Sequence, residues 1–150
     1  MKRQLTTLIA AALLSGILAG ASAQPALKDV FKNDFRVGAA LNQWHFSGVT
    51  NSEVAIIEKH FNTISPENVL KWGPIHPRPA QYVFDNADRY VEFGLKHDMF
   101  IIGHTLVWHA QTPRWVFQDQ EAKPLTREAL LERMREHIHT VVGRYKGKIR

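Results

Sequence analysis

Apolar residues along this chain switch repeatedly between two spacings. Short runs near period two mark three strands: Arg36-Val37-Gly38-Ala39-Ala40-Leu41, Phe61-Asn62-Thr63-Ile64-Ser65 with Pro66 as its stop, and Met99 to Trp108. The third opens on the apolar run Met99-Phe100-Ile101-Ile102. Between the strands the spacing lengthens to three and four. Leu27 to Phe31 reads as a short lead-in helix. Thr50-Asn51-Ser52-Glu53 fits a capping box that starts a helix carried by Val54 to His60. Gly73 to Tyr82 is a loop holding Pro74, Pro77 and Pro79, and Asp85 is placed as the N-cap of a helix running to about His97. After Pro124 and Thr126, the residues Leu131, Met134, Ile138, Val141 and Tyr145 form one buried helical face, and Gly147 ends that helix. Lys148-Ile149-Arg150 is placed to begin a fourth strand.

Strand and helix in alternation predict parallel βαβ units, hence an α/β fold. The pattern alone fits a doubly wound sheet or a barrel. The chain has 150 residues and no Cys, so one domain is expected, held by burial rather than disulfides. Its first residues change the picture. Met1-Lys2-Arg3 is a basic start, Leu5 to Ala21 is apolar, and Ala21-Ser22-Ala23 is a small-x-small site. Residues 1–23 are therefore expected to be a secretory signal peptide, leaving 24–150 as the mature part, periplasmic or extracellular and without a stable membrane anchor. Loss of Lys2 and Arg3 lowers the formal charge from +5 to +3. With the basic residues scattered, nothing points to nucleic acid.

Two stretches carry candidate chemistry, each at the C-terminal end of an expected strand. Gly103 to Trp115 holds His104, Trp108, His109 and Gln111. Strand alternation puts Ile102, His104, Leu106 and Trp108 on one face, with Thr105, Val107 and His109 on the other. An indole to stack on, with amide and imidazole groups beside it, suits a sugar ring and its hydroxyls. Glu67, Asn68 and Lys71 follow the second strand and offer a carboxylate, an amide and an ammonium within five positions. The same residues also fit blander roles: His104 as a core histidine, Glu67 and Lys71 as an ordinary helix start. His104 and His109 suggest a metal-dependent hydrolase, but on opposite strand faces they could not share an ion. Trp44, Trp72 and Trp115 are assigned to packing.

Gly103 to Trp115 resembles the third-strand signature of glycoside hydrolase family 10, the endo-β-1,4-xylanases. Phe61 to Trp72 resembles the family's second-strand segment, in the right order and about thirty residues earlier, and the likeness runs from about Leu27 to Arg150. The resemblance implies a (β/α)8 TIM barrel, a fold of about 250 residues with its site at the strands' C-terminal ends. This chain covers about the first three βα units. The resemblance also implies that Glu67, Asn68, Lys71, His104, Trp108 and Gln111 bind the glycone sugars of xylan or xylo-oligosaccharide, with no cofactor and no metal. Family members retain configuration through two carboxylates. Their acid/base Glu follows strand four, in a Trp-Asp-Val-Val-Asn-Glu type of segment, and their nucleophile ends strand seven. Both are expected beyond Arg150, so the expectation is an N-terminal portion that needs the rest of the barrel for folding and activity. The rival is a non-catalytic remnant with weak xylan binding.

Overall fold

The computed structural model describes residues 24–49 and 52–150. The expected signal peptide, and Thr50 and Asn51 of the expected capping box, lie outside the described residues. Three parallel strands, β1 (Gly38–Leu41), β2 (Thr63–Pro66) and β3 (Phe100–Ile101), form a sheet in that order. Helix α1 (Leu27–Val30) precedes β1. Helix α2 (Ser52–His60) connects β1 to β2. The short α3 (Trp72–Ile75) and then α4 (Asp85–Lys96) connect β2 to β3, and α5 (Arg127–Tyr145) follows. Cα register pairs Leu41 with Pro66 and Ile64 with Ile101. Each strand thus sends one fully buried aliphatic, Leu41, Ile64 or Ile101, into the core. The helices close over these with Ile57 from α2, Tyr90 and Val91 from α4, and Val141 and Tyr145 from α5. Gly94 lets α4 come close: a Cβ there would lie 2.5 Å from Ile101 Cγ1 and 2.9 Å from Ile64 Cδ1.

Strand three is much shorter than its sequence suggests, and Pro66 explains why. Phe100 N–H donates to Asn62 O and Ile102 N–H to Ile64 O, both at 2.9 Å. The next rung of such a parallel ladder would come from the N–H of residue 66, and a proline has none. The Ile102 carbonyl is met instead by the Tyr90 hydroxyl at 3.0 Å, which also lies 2.9 Å from Ile64 O. The chain leaves the sheet after Ile102. Arg150 N–H nevertheless donates to Ile101 O at 3.0 Å, on the side where a fourth parallel strand would add.

The remaining differences are local. Helix α4 begins at Asp85 itself, with Phe84 at the cap position and no side-chain cap. Thr126 caps α5 by accepting from Ala129 N–H at 3.3 Å, and Gly147 ends it at φ +79°. The buried row of α5 is His137, Val141 and Tyr145, whereas Leu131, Met134 and Ile138 are half-buried around a surface groove. Two anchors set that rotation. Tyr145 Oη donates to Asp88 Oδ1 at 2.9 Å while Arg144 holds both Asp88 oxygens, and His137 stacks on Trp72 at 3.9 Å and 3°. Trp72 and the half-buried Trp115 meet edge to face at 6.4 Å, as packing residues do. Trp44 does not pack: it is 66% exposed. No helix among the described residues is long and apolar enough to cross a membrane.

Candidate functional site

The polar cluster grows out of the C-terminal ends of β2 and β3. Past Pro66, the Glu67 N–H still donates to Leu41 O at 2.9 Å, which holds the chain beside β1. Asn68 then turns it, its carbonyl accepting from Lys71 N–H at 2.9 Å. This turn folds the Lys71 side chain back over Asn68. The side chain is nearly buried, at 8% exposure, and its Nζ donates to Asn68 Oδ1 at 3.1 Å. The same ammonium sits 4.3 Å from the Trp108 ring centroid, close enough for attraction to the ring face.

The loop after β3 supplies the other half. Gln111 Nε2 donates to Asn68 Oδ1 at 3.1 Å, so one amide oxygen accepts from both halves of the site. The backbones meet as well: Gly73 N–H donates to Gln111 O at 2.9 Å, and a Cβ on Gly73 would lie only 2.9 Å from that oxygen. Gln111 itself has φ +55°, and Thr112 Oγ1 donates to Trp108 O at 2.8 Å. His104 lies 6.5 Å from Trp108 between ring centroids, and His109 meets the same indole edge to face at 4.8 Å.

Asn68, Lys71, Trp108 and Gln111 therefore form one connected group, with His104 beside it. Glu67 is exposed at its edge, its carboxylate without a hydrogen-bond or ion-pair partner among the described residues. The expected separation of His104 and His109 onto opposite faces does not hold. Alternation stops with the strand at Ile101, and both imidazoles flank Trp108. No group of three or more His, Cys, Asp or Glu among the described residues is placed to hold a metal. The metal-dependent reading therefore gains no donor set.

Behind the site lies a stack that sequence reasoning missed. His137 and His76 are almost fully buried, with ring centroids 5.7 Å apart. His76 stacks on Tyr82 at 3.9 Å and His137 on Trp72. Burial pushes the His137 pKa down to about 4, and the neighbouring His76 adds to the shift. The nearby Leu106 carbonyl opposes it without reaching hydrogen-bond geometry. Burial also lowers His76, against the opposing charge of Glu136. Both rings are neutral packing groups near pH 7. The sequence signal was available: His137 falls four residues before Val141 and eight before Tyr145. Trp44 was also misjudged. It lies in the turn three residues past the end of β1 and is exposed rather than packed.

A parallel β-sheet flanked by helices, with polar side chains gathered where two strands end, is the first part of a (β/α)8 barrel with its site at the usual mouth. Residues 26–150 match the family model described as glycosyl hydrolase family 10. A β-1,4-xylanase of Dictyoglomus thermophilum is 45% identical over 128 residues, covering 83% of this chain and 33% of that protein. The solved GH10 endoxylanase from a sugarcane soil metagenome superposes with a TM-score of 0.77 at 41% identity, over 85% of this chain and 38% of that one. A solved variant in complex with xylotriose superposes with a TM-score of 0.77 at 42% identity, over 82% and 36% of the two chains. The chain belongs to glycosyl hydrolase family 10, and it spans about a third of the length of these relatives.

Proposed function

We propose that residues 24–150 form the glycone-binding side of a secreted endo-1,4-β-xylanase that cleaves internal β-1,4-xylosidic bonds with retention of configuration. The observation that carries this reading is the shared acceptor Asn68 Oδ1, which joins Lys71 of the β2 loop to Gln111 of the β3 loop beneath the Trp108 ring. With that oxygen occupied, the remaining Lys71 protons, the Asn68 amide protons and the free Glu67 carboxylate are left for a ligand. Vicinal hydroxyls of a pyranose each donate and accept, so an acceptor beside two donors is matched to them. Trp108 and His104 add an apolar wall and a further hydroxyl partner. The related chain solved with xylotriose supports a xylose-based ligand.

Retaining catalysis by two carboxylates needs a general acid/base and a nucleophile about 5–5.5 Å apart. Glu67 belongs to the binding group in this proposal, and both catalytic Glu residues lie outside residues 1–150. The 150-residue chain accordingly binds xylan at most weakly and does not hydrolyse it. The complete barrel forms a glycosyl-enzyme and releases it to water without a cofactor. Export with cleavage after Ala23 belongs to the same proposal, supported by the basic start and the Ala21-Ser22-Ala23 site.

A reducing-sugar assay tests the division of labour. The 150-residue chain, purified free of host xylanase, should release no reducing ends from xylan, and the chain completed with its remaining strands should release them. Turnover by the 150-residue chain that Glu67→Gln abolishes would make Glu67 a catalytic residue and overturn the assignment. Mass spectrometry of secreted material should find Gln24 at the N-terminus, and an uncleaved Met1 in membranes would refute export.

A further inference from the structure

The loop after β1 presents a tryptophan to solvent with unusual care. Its 3₁₀ turn, Gln43–Phe46, is fixed at both ends. Asn42 Oδ1 accepts from Trp44 N–H at 3.0 Å, and Asn42 N–H donates to His45 Nδ1 at 3.1 Å. His45 Nε2 reaches Glu53 Oε2 at 3.0 Å, and Ser47 Oγ donates to Trp44 O at 2.9 Å. Phe46 is buried edge to face against Tyr90. Asn42, His45, Phe46 and Ser47 around Trp44 are thus tied down, yet its own indole is 66% exposed. A large apolar side chain on a backbone already fixed needs no ordering of its loop when a ligand covers it.

The indole does not stand alone. It borders a shallow cavity of about 340 Å³, lined by Asn42, Gln43, Trp44, Asn68 and Val69. Asn68 is also the shared acceptor of the glycone group, so the cavity continues that site towards β1. Its lining offers an aromatic face with side-chain amides around it, and no charge. That chemistry fits a neutral sugar ring whose hydroxyls meet amides while its apolar face meets an indole.

We propose that Trp44, with Gln43 and Asn68, forms an additional sugar subsite that takes a xylosyl unit of the same bound chain, further from the cleavage point than the units held at Lys71 and Trp108. The proposal rests on the xylan-binding reading above. It makes Trp44 a determinant of preferred chain length: oligomers long enough to reach it gain affinity, and shorter ones do not.

The test uses the complete natural chain and thio-linked xylo-oligosaccharides of two to five units, which are not cleaved, with binding followed by calorimetry. In the unaltered protein, affinity should rise about five- to tenfold at the length where a unit reaches Trp44. Trp44→Ala should remove that step while leaving the affinity for the disaccharide unchanged, and Trp44→Phe should keep most of it. Unchanged melting temperatures of both variants establish that the loop stands. A length step that survives in Trp44→Ala, or no step in the unaltered protein, overturns the subsite and leaves the xylanase reading intact. Failure of every oligomer to bind the unaltered protein overturns both.

Discussion

Replacing His137 by Phe should change how the fold responds to acid. His137 is buried flat against Trp72, with its pKa pushed down to about 4 by burial from an ordinary 6.5. Between these values the unfolded chain takes up a proton that the folded chain refuses. The folded state is thus at full advantage above pH 6.5 and loses it progressively as the pH falls towards 4. Each pKa unit is worth about 1.4 kcal/mol, so this one group should cost about 3 kcal/mol over that window. Phe keeps a flat ring on Trp72 and has nothing to protonate. His76 and Glu136 face the same stack in both proteins, so comparing the two reads the contribution of His137. Urea unfolding of the complete chain at pH 7, 6, 5 and 4 reads the effect. The unaltered protein should lose about 3 kcal/mol more than His137→Phe, or about 1–3 M in urea midpoint. Parallel pH curves for the two proteins would refute the reasoning, because they would mean that His137 is solvated or hydrogen-bonded in the folded state.

Asn68→Leu removes the shared acceptor and strands a nearly buried ammonium. It should cost about 1–3 kcal/mol in thermal or urea unfolding and weaken xylo-oligosaccharide binding at least tenfold, by calorimetry. Gly94→Ala places a Cβ 2.5 Å from Ile101 Cγ1 and should destabilise by about 1–3 kcal/mol, as melting curves will read. In the completed barrel, His104→Ala should lower kcat/KM roughly ten- to a hundredfold through the loss of a hydroxyl partner, with KM and kcat measured separately. His109 is exposed, so His109→Ala should leave stability within about 0.5 kcal/mol in the same melting assay.

The order of elements was legible because each is written locally. The run at Ile101, the cap at Thr126 and the left-handed Gly147 need nothing beyond their neighbours in sequence. Strand three was overextended because its end is set by another strand. Only the parallel register reveals that Pro66 faces the carbonyl of Ile102. The same gap misled the face assignment of His104 and His109, which relied on alternation that stops at Ile101. The helix face of α5 was half right. Spacing marks both the Leu131, Met134, Ile138 row and the His137, Val141, Tyr145 row, and the pairing of Tyr145 and Arg144 with Asp88 chooses between them. Glu67, Asn68, Lys71 and Gln111 are named as binding residues by the family resemblance; their positions after expected strand ends fit ordinary helix and loop roles as well. The convergence on a single oxygen could not be read from sequence, because it depends on Gln111 lying beside Asn68 across forty-three residues. A tryptophan is read from sequence first as a packing residue, and only the fold shows Trp44 exposed.

The backbone bond between Gly73 and Gln111 has a consequence for how such sites change over generations. A side chain at residue 73 would meet the Gln111 carbonyl at 2.9 Å, and the left-handed turn at Gln111 holds that carbonyl in place. The two loops are therefore expected to tolerate change only as a matched pair. A recombination crossover between residues 73 and 111 joins a loop from one parent to a loop shaped against another, whereas a crossover before residue 66 or after 113 carries both across together. Chimaeras of family members should survive at the outer junctions far more often than at the inner one. The loop after β1, where Trp44 stands, lies outside that backbone contact and is free to vary without it.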